Sequence, residues 1–393
     1  MATSSSSVTA VPTLPRRAAG VSGRRNPAAA WRHLDLALAT AVTGIAGFGV
    51  LMVYSASRDK LLASGTDPAY FLKRQAAFVV AGVIAMIVAA SIDYRKLRDF
   101  AIVFYGGTLF LLLAVFTPFG SKSKGAQAWF QVGSYQLEPS EFAKIGLIIA
   151  LAAYCAAARG QMDRRRLAGV LALAAVPMAL IYKQPDLGTA LVLAVILLFV
   201  LLVAGARASH LAVLGAIGVI GVAAVLHFGV LKRYQVDRLS AFLDDRTDTQ
   251  RTAYNLNQSK IAIGSGGVVG KGLFKGTQTN LSYVPEQHTD FIFTAVGEQL
   301  GLLGSAILLS LFALVVWRTW RIAGLAHDLC GMLICVGVLA MLLFQIFENV
   351  GMTMGIMPIT GIPLPFMSYG GSATLVSFAA IGLVLNVHMR RFS

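Results

Sequence analysis

Charge is what this chain has least of. Only 13% of its 393 residues are Asp, Glu, Lys or Arg, while 56% are hydrophobic. A water-soluble domain of this size carries about twice that charge, so a soluble globular fold is excluded. Cysteine is nearly absent, and Cys155, Cys330 and Cys335 all fall in apolar stretches, the last two five residues apart. That spacing on one helix cannot form a bridge, and no zinc-ligand pattern exists. A signal peptide is missing too: the first thirty or so residues are rich in Ser, Thr, Pro, Ala and Arg, with no apolar core before a cleavage site. No internal repeat is visible, so an inverted-repeat transporter gains no support.

What the chain does have is apolar sequence in lengths that cross a bilayer. A hydrocarbon core of ~30 Å takes roughly 20 helical residues. Runs near 35–54, 75–92, 100–116, 141–158, 167–182, 187–204, 210–228, 291–317, 328–354 and 367–388 meet that need. They predict an all-α polytopic membrane protein of about ten transmembrane helices. Residues 34–393 form the transmembrane domain, and residues 1–33 read as a disordered cytoplasmic tail.

A formal charge of +15 invites a nucleic-acid partner, but the basic residues sit in short loops and not on one face. Arg16, Arg17, Arg24, Arg25 and Arg32 precede the first span, and Arg95, Lys96 and Arg98 follow the second. Arg159 and Arg164 to Arg166 follow the fourth, Arg318 and Arg321 the eighth, and Arg390 and Arg391 the last. Positive charge gathers on the cytoplasmic side, so both termini are expected there and no nucleic acid is implied.

Two outer connections are long: residues 117–140, and a large loop of residues 229–290 between spans seven and eight. Loops of that length are usually functional. The second opens on a predicted interfacial helix, with Val236, Leu239 and Leu243 at helical spacing. Its run GSGGVVGKG at 264–272 looks superficially like a phosphate loop but lacks GxxxxGK[ST] and a preceding strand. Backbone flexibility near a bulky ligand is the expected use, with Lys271 and Lys275 able to meet a diphosphate.

Three motifs carry polar chemistry at outer helix ends. In HTDFIF, 288–293, Asp290 sits where the loop meets the eighth span; it either caps that helix or acts as a catalytic or ligand carboxylate. His288 is the only histidine beside a candidate acid. In EPSEFAK, 138–144, Glu141 and Lys144 share one helical face, as a local ion pair or as the wall of a polar cavity. In YKQPDLGT, 182–189, Pro185 and Asp186 suit a helix first turn without any chemistry. Further on, Glu348 is an acid inside an apolar span, either functional or a hydrogen-bonded helix contact beside Gln345 and Asn349. Pro and Gly pairs then break the backbone before the last span, which is tolerated only where protein or water satisfies it.

Taken together, GAQAW at 125–129, PSEFAK at 139–144, PDLGT at 185–189, PEQHTDFIF at 285–293 and PLPFMSYGGS at 363–372 resemble the SEDS family (shape, elongation, division, sporulation). The match runs from the first span to the C-terminus, and GKGLFKGTQ at 270–278 with GMTMGIMPITGIPLPF at 351–366 is more similar to the elongation branch than to the division branch. The resemblance implies a glycosyltransferase of the bacterial plasma membrane that polymerises lipid II on the outer face. It puts the essential acid on Asp290 and the family's paired charged residues of the fourth helix on Glu141 and Lys144; Trp129, His288, Glu286, Lys271 and Lys275 are further candidates for binding substrate or lining the cavity. It also implies a class B penicillin-binding protein with a single membrane anchor as partner, beside other elongation-machinery proteins.

Asp290 would then be the general base that takes the proton of the acceptor hydroxyl. A helix N-terminus lowers a carboxylate's pKa and apolar walls raise it; if the dipole wins, metal ligation becomes the better role. No organic cofactor is expected; basic groups or a divalent cation, Mg or Mn, would face the departing diphosphate. Two positions depart from the family pattern: Ala128 precedes Trp129 where many members carry Arg, and Glu138 stands where Gln is frequent. The missing basic contact is expected from the long loop. The competing classes are a flippase for a lipid-linked precursor and an inactive scaffold that recruits a transpeptidase. Outer-side clustering of polar residues favours an enzyme over the former, and a scaffold would tolerate loss of Asp290.

Overall fold

The computed structural model describes residues 31–123, 126–157, 162–227, 251–281, 283, 284 and 286–391. The expected tail over residues 1–33 falls almost wholly outside them, and the expected interfacial helix at Val236, Leu239 and Leu243 entirely so.

Apolar runs become helices because, in lipid, a backbone must satisfy its own polar groups. In chain order they are α1 (Leu36–Ala63), α2 (Tyr70–Ser91), short α3 (Tyr94–Asp99) and α4 (Ala101–Ala114); then α5 (Pro139–Ala156), α6 (Arg164–Lys183), α7 (Leu187–Val203) and α8 (Ala208–His227). After the long loop come α9 (Arg251–Gly266), α10 (Thr277–Asn280), α11 (Ile292–Gly324), α12 (Leu329–Met354) and α13 (Gly371–Met389). Seven of these are long and apolar enough to cross a membrane, and α4, α7 and α8 are the shorter apolar helices. The ten predicted spans are therefore all helices.

Helix α12 is the axle of the bundle. It packs against α5, α7, α11 and α13, and its buried face runs from Cys330 to Thr353. Helix α2 lies along α13, and α1 along α11. All three cysteines are buried and free.

Two features were not anticipated. The connection at 117–140 carries a three-stranded antiparallel sheet, β1 (Gly120–Ser123), β2 (Ala126–Val132) and β3 (Tyr135–Leu137), in the order β1-β2-β3. Trp129 pairs with Ser121 and Phe130 with Leu137 across it. A small sheet thus joins an otherwise helical protein. Within the large loop, α9 is a helix packed on α11 and α12.

The glycine run of that loop does not serve flexibility. Helix α11 is broken at Gly301, whose φ is +63°, and Gly270, with φ +85°, lies against Gln299 and Gly301 so closely that either Cβ would collide with backbone. Backbone groups freed by the break are satisfied by the loop: Leu302 N–H donates to Gly267 O (2.9 Å), Leu303 to Val268 O (3.0 Å), Lys271 to Glu298 O (3.1 Å) and Gly272 to Gln299 O (3.0 Å). Glycine is required here because only it allows this approach and this φ. The run is a weld between loop and bundle.

Candidate active site

A cavity of about 750 Å³ opens at the end of the bundle where α2, α5 and α13 begin. Its walls come from five separated segments: the start of α2, the sheet, the turn before α7, and the turns at 286–290 and 360–373.

The turn before α11 is held open by backbone geometry. Glu286 has φ +55°, and its carbonyl accepts from the N–H groups of Thr289, Asp290 and Phe291 (3.2, 3.2 and 3.3 Å). Helix α11 starts with Phe291 as N-cap and no side-chain capping bond, so Asp290 is not the cap. Instead its carboxylate lines the cavity, and Gly361, at φ +80°, leaves room for it, a Cβ there lying 3.4 Å from Oδ2. Asn349, buried on α12, donates from Nδ2 both to the Asp290 carbonyl and to the Ile362 carbonyl, each at 2.8 Å. One amide thereby fixes the Asp290 turn against the 360s loop. Glu348 beside it takes a bond from Thr360 Oγ1 of the 360s loop (2.8 Å), while its Oε2 is buried without a hydrogen-bond partner among the described residues.

The broken backbone between α12 and α13 is satisfied by protein. Gln75, fully buried, donates to Ser368 O (3.1 Å), and Ser368 Oγ accepts from Leu364 N–H (2.9 Å). Tyr369 N–H donates to His288 O (2.8 Å). The rings of Phe71, His288 and Tyr369 pack together, tilted and edge-on, with centroids 4.5 Å apart for Phe71 and His288 and 4.9 Å for Phe71 and Tyr369. His288 therefore builds the wall and is not among the cavity-lining residues, whereas Trp129, Glu286 and Asp290 are.

Glu141 and Lys144 form a buried ion pair, Nζ to Oε1 2.6 Å, on the first turns of α5. They lie outside the lining set; Glu138, one turn earlier, is in it. Its backbone N–H donates to Ser372 Oγ (2.9 Å) and its Oε1 accepts from Ser140 (2.8 Å). Burial, then the nearby negative charges of Asp186 and Glu141, push the Glu138 carboxyl up to about 8. Asp186 caps α7 through Thr189 N–H (3.0 Å), as structure alone would have it, yet it also lines the cavity with Oδ2 buried and without a hydrogen-bond partner among the described residues.

Lys271 and Lys275 do not reach this cavity. Lys271 is tied to Glu298 (2.9 Å) and Thr277 (2.6 Å), and Lys275 is exposed on the loop. The cation that does line the cavity is Arg74, which sequence reading passed over. Its guanidinium lies 4.5 Å from the Tyr70 ring centroid and 4.9 Å from that of Tyr135, and is a hydrogen-bonding neighbour of Tyr369. Burial raises the Tyr369 phenol's pKa and Arg74 opposes that rise. Among the described residues, the basic side chain at this cavity thus comes from α2 and not from the long loop.

Among the described residues no three His, Cys, Asp or Glu side chains gather tightly enough to hold a metal ion. The donor set at the cavity still suits Mg²⁺, which binds through one or two carboxylates plus substrate phosphates rather than an all-protein cage. Asp290 is a carboxylate of that kind.

Fold and site together define a polytopic helical membrane protein with a carboxylate-lined cavity, holding one lining arginine, at one end of its bundle. The chain belongs to the FtsW/RodA/SpoVE family of cell cycle proteins, whose family model matches residues 36–392. It is 38% identical to the probable peptidoglycan glycosyltransferase FtsW of Geobacter metallireducens over 91% of this chain and 95% of that one. It is 37% identical to the peptidoglycan glycosyltransferase MrdB of Escherichia coli K12 over 91% and 94%. Among solved structures it resembles a peptidoglycan synthase complex that coordinates polymerization and crosslinking (TM-score 0.76, 32% identity, 92% of this chain and 99% of that one). It also resembles the rod shape determining protein RodA of Thermus thermophilus (TM-score 0.69, 30% identity, 92% and 99%).

Proposed function

We propose that this chain is a peptidoglycan glycosyltransferase that polymerises lipid II at the outer face of the bacterial plasma membrane. The observation that carries this reading is that Asp290 and Arg74 line one cavity of about 750 Å³, a size suited to a sugar-bearing ligand. Asp290 takes the proton of the acceptor 4-hydroxyl as its oxygen attacks the donor's anomeric carbon. The bond from that carbon to the diphosphate oxygen breaks on the opposite side, so configuration inverts and undecaprenyl diphosphate leaves. Arg74 faces the charge that develops on the diphosphate, with Tyr70 and Tyr135 holding the guanidinium in place. In the alternative role, Asp290 would hold a divalent cation, which would supply charge neutralisation to the leaving group.

The sidedness follows the basic short loops: both termini are cytoplasmic and the cavity is extracytoplasmic. Gathering of the lining carboxylates at one bundle end supports an enzyme over a flippase, which needs a polar path through the middle. The partner is a class B penicillin-binding protein, supported by the likeness to a polymerising and crosslinking complex. The GKGLFKGTQ and GMTMGIMPITGIPLPF segments favour elongation; the FtsW relatives favour a septal role as the second reading. Depletion decides between them, rounded cells supporting elongation and filaments septation. The activity itself is tested by lipid II polymerisation with purified chain and cognate transpeptidase. Glycan chains from wild type but not from Asp290→Asn support the reading, and equal chains from both would remove Asp290 from the mechanism.

A further inference from the structure

We propose that the chain binds one monovalent alkali cation behind the wall of the active-site cavity, on side-chain oxygens of Gln345, Glu348 and Asn349 of α12. Among the described residues four acids are buried: Asp35, Glu141, Glu298 and Glu348. The first three each hold a basic side chain, Arg318 at 2.5 Å, Lys144 at 2.6 Å and Lys271 at 2.9 Å. Glu348 has no exposed surface, yet no ion pair among the described residues includes it. An anion in such a place has to be neutralised, because an uncompensated buried charge is too costly to keep.

The neighbours of Glu348 decide between a proton and a cation. Its Oε1 accepts from Thr360 Oγ1 (2.8 Å), but its Oε2 is buried without a hydrogen-bond partner among the described residues, as are Gln345 Oε1 and Asn349 Oδ1. Spacings of three and four put the three side chains on one face of the helix. Glu348 and Asn349 both reach the 360s loop, at Thr360 and Ile362. The Asn349 amide cannot be turned round, since Nδ2 donates to the carbonyls of both Asp290 and Ile362 (2.8 Å each). A proton on Glu348 supplies one donor and leaves at least one amide oxygen unpaired. A cation serves all three oxygens, and a single positive charge balances the single carboxylate where a divalent ion would leave net charge buried.

The surroundings suit such an ion. Helix α12 ends at Met354 with Gly355 in the left-handed region, and helix C-termini beside unwound backbone are where membrane proteins hold monovalent cations. Thr360 lines the cavity, so one side chain separates the site from it. A bound ion would brace the 360s loop behind Asp290. The inference does not depend on the polymerase reading, and its test does not use activity.

The test is equilibrium binding of radioactive sodium and rubidium ions to the purified full chain in detergent, at an ionic strength held constant with choline chloride. One of the two should saturate at one ion per chain. Glu348→Gln, which keeps the shape and an acceptor for Thr360, should bind it at least about a hundredfold more weakly. Asp67→Asn, at an exposed acid outside the site, should bind as wild type does. A melt in choline chloride reports whether Glu348→Gln folds; if it does not, Gln345→Leu should weaken binding about tenfold. Absence of saturable binding of either ion, or equal binding by wild type and the folded variant, overturns the proposal and leaves a proton on Glu348. Displacement of the tracer by an equal concentration of Mg²⁺ would overturn it in favour of a divalent site.

Discussion

Asp290 and Glu298 are carboxylates eight residues apart at the head of the same helix, and their surroundings differ in kind. Glu298 has no exposed surface and accepts from Lys271 Nζ (2.9 Å), Thr277 Oγ1 (3.2 Å), Gln278 N–H (2.7 Å), Thr279 N–H (2.9 Å) and Thr279 Oγ1 (2.6 Å). Asp290 lines the cavity, and its turn is fixed through its backbone by Asn349. Glu141 belongs with Glu298, buried and paired with Lys144; Glu138 belongs with Asp290, lining the cavity. The difference teaches that the polar residues of these motifs divide into a set that holds loops and helix ends and a set that faces the cavity. A charged residue in a family motif can belong to either.

Substitutions on the holding side should act on stability first. Lys144→Met leaves Glu141 buried without its cation and should cost about 3–5 kcal/mol, seen as a lowered melting temperature in detergent. Glu298→Gln keeps the shape but trades an anion for an amide that cannot accept at both ends, costing about 2–3 kcal/mol. Limited proteolysis should then cut the loop around Lys271 sooner than in wild type. If either variant melted as wild type does while losing polymerisation, the division between the two sets would fail.

On the facing side the effects should fall on rate. Arg74→Gln should slow polymerisation by about 10²-fold, a loss of roughly 2.7 kcal/mol of leaving-group stabilisation, with an unchanged melt. Normal rates in that variant would return the leaving-group contact to some other residue. The smallest effect is expected at Glu138. Its carboxyl titrates near 8 when folded, against an ordinary value of 4.5, so folding favours the protonated form. The stability that this proton contributes is present below about 4.5 and is lost as pH rises through 8. The melting temperature should therefore decline as pH rises from about 4.5 through 8 and level off above that. Glu138→Gln, which fixes the neutral shape, should flatten this decline without changing the rate near pH 6; an unaltered decline would show that Glu138 does not titrate there.

The spans were legible because bilayer thickness and hydropathy leave a chain few choices. The sheet was not, since three strands in a short polar loop give too little alternation to read. The glycine run at 264–272 was misread because glycine serves an open hinge and a tight contact equally well. Its contact partners, Gln299 and Gly301, come some thirty residues later. Lys271 looked substrate-facing while its partner went unnoticed, yet an acid two turns into an apolar span, as Glu298 is, must be paired, and the loop held the nearest cation. Arg74 had a signal as well: a basic residue beside Gln75, at the span end that the charge pattern assigns to the outside, runs against the usual charge bias. Asp290 was legible as a helix-boundary acid, but capping and facing could be told apart only from the turn at Glu286.

The most direct measurement takes Asp290→Asn and Glu298→Gln through lipid II polymerisation and thermal melting in the same preparations. Asp290→Asn is predicted to lose glycan chains by about 10²–10⁴-fold and to melt as wild type does, whereas Glu298→Gln lowers the melt. Chains of normal yield from Asp290→Asn, or a fall in its melt that accounts for its lost activity, would contradict the account.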